Sequence, residues 1–555
     1  MLNNEQAQKM CVKLCVGVWA TTGQLETYPI MTDGQSGTNR AFILGLDGVP
    51  WTKLNSWIDD GHLPNFERLR DSGAAGPLES TMPPTTALAW PSIATGVKPD
   101  KHGVYGFQNL HSDYSHQINT SADVDHPTLW DQLSPAVVAN VPMTYPAPSI
   151  DGELVAGMMA PEMNEQFTHP TALRDEITEA IPDYEIGLTW SEYTDRNDAF
   201  LEDLDALVNA RRDLMELLMD REDWRLFFFV YTAPDRLQHL LWDEDVLVDH
   251  YQLLDDVLGD VMAYVEERDA NLFVVSDHGF GPTDRYVALN SALERDGYLE
   301  RRESGGVRNV FSNLGVRKAD VLSALGAVGI DEQTLVTLLP NQFLDSVAKQ
   351  IPGSHVLFDV DFERTRAFVH GPGCVYVNDS ARFEHGVVDP ADRIAVKTEI
   401  ADVFSSITDP DTGEPVLDVY DGDDLFENDA ASPDLIVCPP HSYKKVQTLR
   451  DDVIGPLTGA EGGHRREGVF FAWGPSIADA EPEGANVVDV APTLLHSVGE
   501  PVPSSLDGAV LTDVLIDDIP VTTRSITATD GSEDATNDED FADVEDRLRG
   551  LGYMS

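Results

Sequence analysis

Cations are scarce in this chain: 37 lysines and arginines stand against 96 aspartates and glutamates in 555 residues, a formal charge of −59. A surface so poor in bases excludes the usual routes to nucleic acid and to anionic lipid, since both need lysine and arginine to displace counterions. The acids run along the whole chain rather than collecting in one tail. That is the pattern of adaptation to high salt, where screening over a few ångströms removes self-repulsion; the plainer alternative is an ordinary acidic cytosolic protein. Cysteine is nearly absent as well. Cys11, Cys15, Cys374 and Cys438 make no disulfide framework in a chain of this length, which fits a reducing compartment. Cys11 and Cys15 have no neighbouring histidine or cysteine pair to complete a zinc site. Long apolar runs are missing too, none reaching the roughly 18–20 residues of a membrane helix. The mildly hydrophobic stretch 10–20 follows a single lysine and lacks a convincing signal cleavage site. A cytoplasmic protein that neither enters a membrane nor binds nucleic acid is expected.

What is present is a folded chain, 42% hydrophobic. Its length implies several units at roughly 100–200 residues per domain, although one large α/β domain can absorb more. Residues 1–40 read as a poorly ordered N-terminal extension. From residue 41 the texture changes: Ala41-Phe-Ile-Leu-Gly-Leu-Asp47-Gly48 is a short apolar run ending in an acid and a glycine. It reads as a buried parallel strand with a functional loop at its carboxyl end. Leu226-Phe-Phe-Phe-Val-Tyr231 leads in the same way to Asp235, and Asn271-Leu-Phe-Val-Val-Ser276 to Asp277-His278. Helical spacing over 243–267 supplies the crossover that a βαβ unit requires. The fold class is therefore α/β, a central, mostly parallel sheet flanked by helices with the site at its C-terminal edge. Residues 41–290 and 456–520 form the two parts of this core. Residues 291–455, with short β-like runs and turns such as Asp409-Pro-Asp-Thr-Gly413, read as an inserted α+β cap. The tail 521–555 is strongly acidic and low in hydrophobicity, as a disordered segment is, although Val544 to Leu551 can dock back as a helix.

The chemistry concentrates on Asp47, Thr86, Asp235, His239, Asp277, His278 and His464. Singly, each has an ordinary explanation: a strand-terminal aspartate caps helices, and a histidine four residues from an acid can simply be exposed. Jointly they say more. Asp235 and His239 stand four apart, so on a helix both leave from one face and can grip one cation. Asp277-His278 offers the same ligand types at a neighbouring strand. Mixed imidazole and carboxylate donors suit zinc or a similar divalent ion, whereas magnesium and calcium prefer all-oxygen shells. Two such sites roughly 3.5–4 Å apart clamp the attacking and leaving oxygens of an in-line phosphoryl displacement. A nucleophile is available in Thr81-Met-Pro-Pro-Thr-Thr86. A threonine hydroxyl needs a base or metal to act, and a helix opening there favours an incoming phosphate. Alternatively Thr85, Thr86 and Ser92 merely cap a helix after Pro84.

The order and spacing of these pieces resemble the type I phosphodiesterase/nucleotide pyrophosphatase branch of the alkaline phosphatase superfamily. The resemblance rests on Leu46-Asp47-Gly48, on Thr86 ten residues before Gly96, and on Pro99-Asp-Lys-His102-Gly103. It continues in Tyr231-Thr-Ala-Pro-Asp235-Arg-Leu-Gln-His239, Ser276-Asp277-His278-Gly279 and Gly463-His464. Val488-Asp-Val-Ala-Pro492, Pro501-Val-Pro and Leu506-Asp-Gly508 close the series. It implies an alkaline-phosphatase-like α/β sandwich and two divalent metal ions, zinc or alternatively manganese. One ion would be bound by Asp235, His239 and His464, the other by Asp47, Asp277, His278 and the Thr86 oxygen. It further implies a phosphothreonyl enzyme and a small phosphate-ester substrate. Ala89 departs from the pattern, because nucleotide pyrophosphatases carry an asparagine there whose amide supports a phosphoryl oxygen; Trp90 stands where they have a histidine. Lys98, Lys101 and Arg236 are possible replacements, with surface solvation the simpler reading of each. A phosphodiesterase on a small organic diester is expected. A phosphomonoesterase or phosphomutase, a phosphoryl-group transferase and a non-catalytic metal-stabilised binding protein are the alternatives, and no Cys/Ser-x-Pro-x-Arg segment exists to make a sulfatase.

Overall fold

The computed structural model describes residues 38–302, 360–525, 541, 544–545 and 547–548, apart from 190–192, 194–195, 428, 430, 441 and 517–518. Cys11, Cys15, the greater part of the extension and residues 303–359 of the inserted segment lie outside the described residues. The apolar run Ala41–Leu46 is a fully buried strand, bracketed in parallel register by Leu226–Tyr231 on one side and Asn271–Val275 on the other. Its side chains alternate between two cores. Phe42, Leu44 and Leu46 pack into one face with Phe227, Phe229 and Tyr231, while Ala41 and Ile43 pack into the opposite face with Phe228 and Val230. Burial on both faces is why these strands read as continuous hydrophobic runs.

They form the centre of an eight-stranded sheet ordered Ala74–Glu79, Glu467–Trp473, Asn271–Val275, Ala41–Leu46, Leu226–Tyr231, Ala136–Ala139, Gly152–Val155 and Thr168–His169. The five strands from Asn271–Val275 to Gly152–Val155 are parallel, and Glu467–Trp473 runs antiparallel between Ala74–Glu79 and Asn271–Val275. The expected crossover is the helix Glu244–Glu267, started by the Asp243 carboxylate accepting from Val246 N at 3.3 Å. Its Asp255 accepts from the Asn65 and Phe66 backbone amides at 3.0 and 2.9 Å, anchoring the N-terminus of the helix Pro64–Ser72. Favourable carboxylate–helix N-terminus geometry thus ties two helices of one layer together.

A second lobe stands over the sheet's C-terminal edge. Its four-stranded antiparallel sheet, Ala367–His370, Cys374–Val377, Leu435–Cys438 and Asp418–Asp421, has its own apolar cluster. Asp434 is buried and paired with Arg382 and Arg393, each at 2.5 Å. A three-stranded sheet of Tyr443–Val446, Gly279–Ala288 and Ile454–Arg465 carries the chain between lobe and core. In its antiparallel register His464 lies opposite Phe280, two residues from His278. Near the C-terminus, Val544 and Leu548 are buried in the larger core cluster.

His250, on the crossover helix, is buried with neither ring nitrogen hydrogen-bonded among the described residues. Burial pushes its pKa from 6.5 down to about 4. Acidification below 6.5 therefore protonates the unfolded chain first, and stability is lost until the pH reaches about 4. By pH 5 the expected loss from this group is roughly 2 kcal/mol. Thermal unfolding of wild type and His250→Leu at pH 8 and pH 5 checks this: the variant's midpoint relative to wild type should rise on acidification.

Candidate active site

Three adjacent strands deliver one acid each to the same point. Asp47 follows Ala41–Leu46 directly, Asp277 follows Asn271–Val275, and Asp235 sits in the first turn of the helix Ala233–Leu240. All three are almost fully buried. Gly48 makes this packing possible. Its φ is +74°, and a Cβ there would lie 3.1 Å from the Asp235 Cα. Its amide donates to Asp277 Oδ1 at 3.1 Å, and its carbonyl accepts from Gln238 Nε2 at 2.8 Å.

The helical spacing of Asp235 and His239 holds, with His239 Nε2 3.4 Å from Asp235 Oδ1. His464 arrives from the far strand with its Nε2 at 3.3 Å from the same oxygen and 2.9 Å from His239 Nε2. His278 Nε2 lies 3.3 Å from Asp277 Oδ2, 3.6 Å from Asp47 Oδ1 and 3.9 Å from Asp235 Oδ1. Thr86 is the first residue of the helix Thr86–Thr95, and its Oγ1 is 3.3 Å from both Asp47 Oδ1 and His278 Nε2. All seven positions singled out in the sequence therefore converge.

The electrostatics explain what the cluster needs. Burial pushes the Asp47 carboxyl well above the usual carboxylate range, and the charges of Asp277 and Asp235 push it further. Asp277 is raised in the same way by burial and then by Asp235. Burial opposes ionisation of Asp235 as well, yet His239 and His464 hold its carboxyl well below that range. Burial also lowers the pKa of His278 and His464. His278 Nδ1 contacts the Gly279 carbonyl at 3.1 Å, and His464 Nδ1 contacts the Pro84 carbonyl at 3.0 Å. A carbonyl oxygen only accepts, so Nδ1 carries a proton in each, and Nε2 is the ring atom that faces the carboxylates.

This donor set fits divalent cations. Asp235, His278 and His464 have ligand atoms within 4.8 Å of one another, as do Asp47, Asp277 and His278, which makes two adjoining groups sharing His278. His239 stands at the edge of the first. Three carboxylates and one ionised hydroxyl would together carry four negative charges, which two divalent ions balance.

Several supporting residues were not identified from the sequence. Trp90 Nε1 donates to Asp47 Oδ2 at 3.1 Å, so the residue replacing a histidine orients a carboxylate. Ser276 Oγ accepts from Val49 N at 2.8 Å and donates to the His278 carbonyl at 2.6 Å, while Ser80 Oγ donates to the Asp277 carbonyl at 2.6 Å. The serine beside Asp277 was the one signal available. Arg236, for which surface solvation was the simpler reading, is instead buried at 5% exposure. Lys101 is tied to Asp507 at 2.5 Å, and Lys98 is exposed.

An open α/β sheet with paired carboxylate and imidazole groups at its C-terminal edge defines a metal-dependent hydrolase. The chain belongs to the type I phosphodiesterase/nucleotide pyrophosphatase family, whose profile matches residues 41–465, within the alkaline phosphatase superfamily. Among solved structures, phosphonoacetate hydrolase from Sinorhizobium meliloti 1021, in complex with phosphonoformate, is 14% identical; the match covers 85% of this chain and 99% of that one, with a TM-score of 0.51. Human ectonucleotide pyrophosphatase/phosphodiesterase 5 is 13% identical over 86% of this chain and 100% of that one, with a TM-score of 0.48. No curated protein matches the chain by sequence.

Because the cluster buries mutually repelling carboxylates, divalent metal should stabilise the fold markedly. Binding at about 100-fold above Kd adds about 2.7 kcal/mol. Thermal unfolding with added Zn²⁺ or Mn²⁺, and after chelation, reads this directly. Asp47→Asn should lose much of the metal-induced rise while leaving the chelated protein at least as stable as wild type.

Proposed function

We propose that the chain is a phosphodiesterase acting on a small organic phosphodiester, with Thr86 as the nucleophile. The observation that carries this reading is the position of Thr86 Oγ1, between Asp47 and His278 at the opening of a ten-residue helix. The helix dipole favours an anionic phosphoryl group there, and membership of the phosphodiesterase family supports the diester as substrate class.

Asp235, His239 and His464 would hold one divalent ion; Asp47, Asp277, His278 and the Thr86 oxygen would hold the other. Zinc matches the mixed donors best, with manganese the alternative, and the pair supplies Lewis-acid activation and charge neutralisation. The Thr86 oxygen bonds to phosphorus as the bond to the leaving alcohol breaks, and the alcohol departs with a proton. Water then attacks the phosphothreonyl group, the Thr86 oxygen–phosphorus bond breaks, and a phosphomonoester is released. Trp90 keeps Asp47 aimed throughout, and the Nδ1–carbonyl contacts hold the rings of His278 and His464. The acidic surface fits an enzyme that works at high salt.

Cleavage of bis-p-nitrophenyl phosphate and p-nitrophenyl phosphate in high salt with Zn²⁺ or Mn²⁺ tests the proposal. The diester should be preferred, and Thr86→Ala should lower kcat by about 10³-fold or more while leaving metal-induced stabilisation largely in place. A monoester preference would move the reading to phosphatase or mutase, and full activity in Thr86→Ala would refute the nucleophile.

A further inference from the structure

A cleft of about 560 Å³ opens from the metal-ligand cluster toward the second lobe. Thr85, His239 and His464 lie at its inner end, and Pro372, Tyr420 and the strand Tyr443–Val446 form its outer wall. Bases slightly outnumber acids along its lining, the reverse of the chain as a whole. Lys444, Lys445, Arg465 and Arg466 line it against Glu79, Asp418 and Glu467, in a chain holding 96 acids and 37 bases.

Two of these cations are already neutralised. Lys444 pairs with Glu461 and Arg466 with Glu79, each at 2.7 Å. Arg465 is committed to the backbone, its guanidinium donating to the carbonyls of Gly463, His464 and Pro282. Lys445 differs from all three. Its Nζ donates to the Pro372 carbonyl at 2.7 Å and lies 3.8 Å from Cys438 Sγ, and no carboxylate contacts it among the described residues. Lys53, Lys101, Lys397 and Lys444 each hold a carboxylate, and Lys98 is exposed outside the cleft. An ammonium left without a carboxylate partner where acids outnumber bases, half-buried in a cleft, is positioned for an anion that the protein does not itself provide.

Its position suits the reacting centre. Cys438 Sγ is 3.7 Å from Met82 Sδ, and Met82 begins the segment leading to Thr86. We propose that Lys445 is a specificity-determining residue that binds a second oxyanion, a carboxylate or phosphate, on the organic group of the substrate. This rests on the phosphodiesterase reading above. The scissile phosphodiester carries one negative charge, and the two proposed metal ions meet it without Lys445. A cation on the lobe side of the cleft therefore selects among diesters by what else they carry.

Calorimetric titration of the metal-saturated protein tests this without turnover, using three methylphosphinates whose P–CH2 linkage cannot be hydrolysed and mimics in turn an ethyl, a carboxymethyl and a 2-phosphonooxyethyl ester. At least one of the two anionic mimics should bind fivefold or more tighter than the ethyl mimic. Lys445→Gln should bring that ratio below fivefold with ethyl mimic affinity unchanged, and Lys445→Arg should restore it. Lys444→Gln should leave the ratio in place, separating the specific contact from the general field. A wild-type ratio below fivefold, or a ratio that survives in Lys445→Gln, overturns the proposal while leaving the diester reading intact. If Lys445→Gln does not fold, loss of the ratio in Lys445→Met or its absence in wild type decides the matter. Failure of all three mimics to bind removes the diester reading together with this one.

Discussion

Mutual repulsion among Asp47, Asp235 and Asp277, buried together with three histidines, is the constraint around which the structure is organised. Buried carboxylates favour separation or protonation over crowding, so something must hold them in place before any cation arrives. The sheet does this by putting two of them directly after neighbouring parallel strands in fixed register and the third in the first turn of the helix that follows another. Smaller contacts complete it. Trp90 fixes one oxygen of Asp47, Gly48 N fixes one of Asp277, and the Ser80 and Ser276 hydroxyls secure the backbone of Asp277 and His278. The energy that folds the α/β core is thus partly stored as a preformed, charge-strained site that divalent ions relieve.

The parts legible in the sequence are those whose signal is local. A buried parallel strand announces itself as an apolar run because both its faces are covered, and an acid at its end announces an edge. The four-residue spacing of Asp235 and His239 needs only a helix. His464 is legible through the resemblance alone, since its place depends on an antiparallel register with Phe280 across more than 180 residues. Lys445 and Trp90 are silent for a related reason. Neither sits at a distinctive spacing, and the function of each depends on a partner, or the lack of one, fixed only by tertiary packing. Arg236 shows the opposite failure: a charged residue beside a ligand reads as solvated, yet it is buried in the fold.

Strong net acidity and an oxyanion substrate are opposed demands. A −59 chain repels anions at long range, and screening at high salt reduces this to a short-range problem. Over the last few ångströms only local groups count, and the cleft supplies them in graded form. Lys444 and Arg466 are neutralised by acids, Arg465 is committed to carbonyls, and Lys445 has only neutral partners among the described residues. Bases scarce elsewhere are concentrated where anionic ligands must be admitted.

The paired change at Ala89 and Trp90 is best understood against that arrangement. An asparagine at the first position would place a donor near a phosphoryl oxygen; the alanine removes it, and Ala89 is fully buried. The indole at the next position does not replace that donor, since its N–H is spent on Asp47. The change moves a hydrogen bond from the phosphoryl group to a carboxylate that meets Thr86. A donor on Asp47 offsets part of the burial and repulsion that raise its pKa, and it fixes the carboxyl group beside Thr86 Oγ1. On the proposed reading, the site would give up some direct grip on the phosphoryl oxygens and gain a more firmly placed group beside Thr86. Recognition by such a phosphodiesterase would depend less on the phosphoryl group, common to all diesters, and more on the organic part of the substrate.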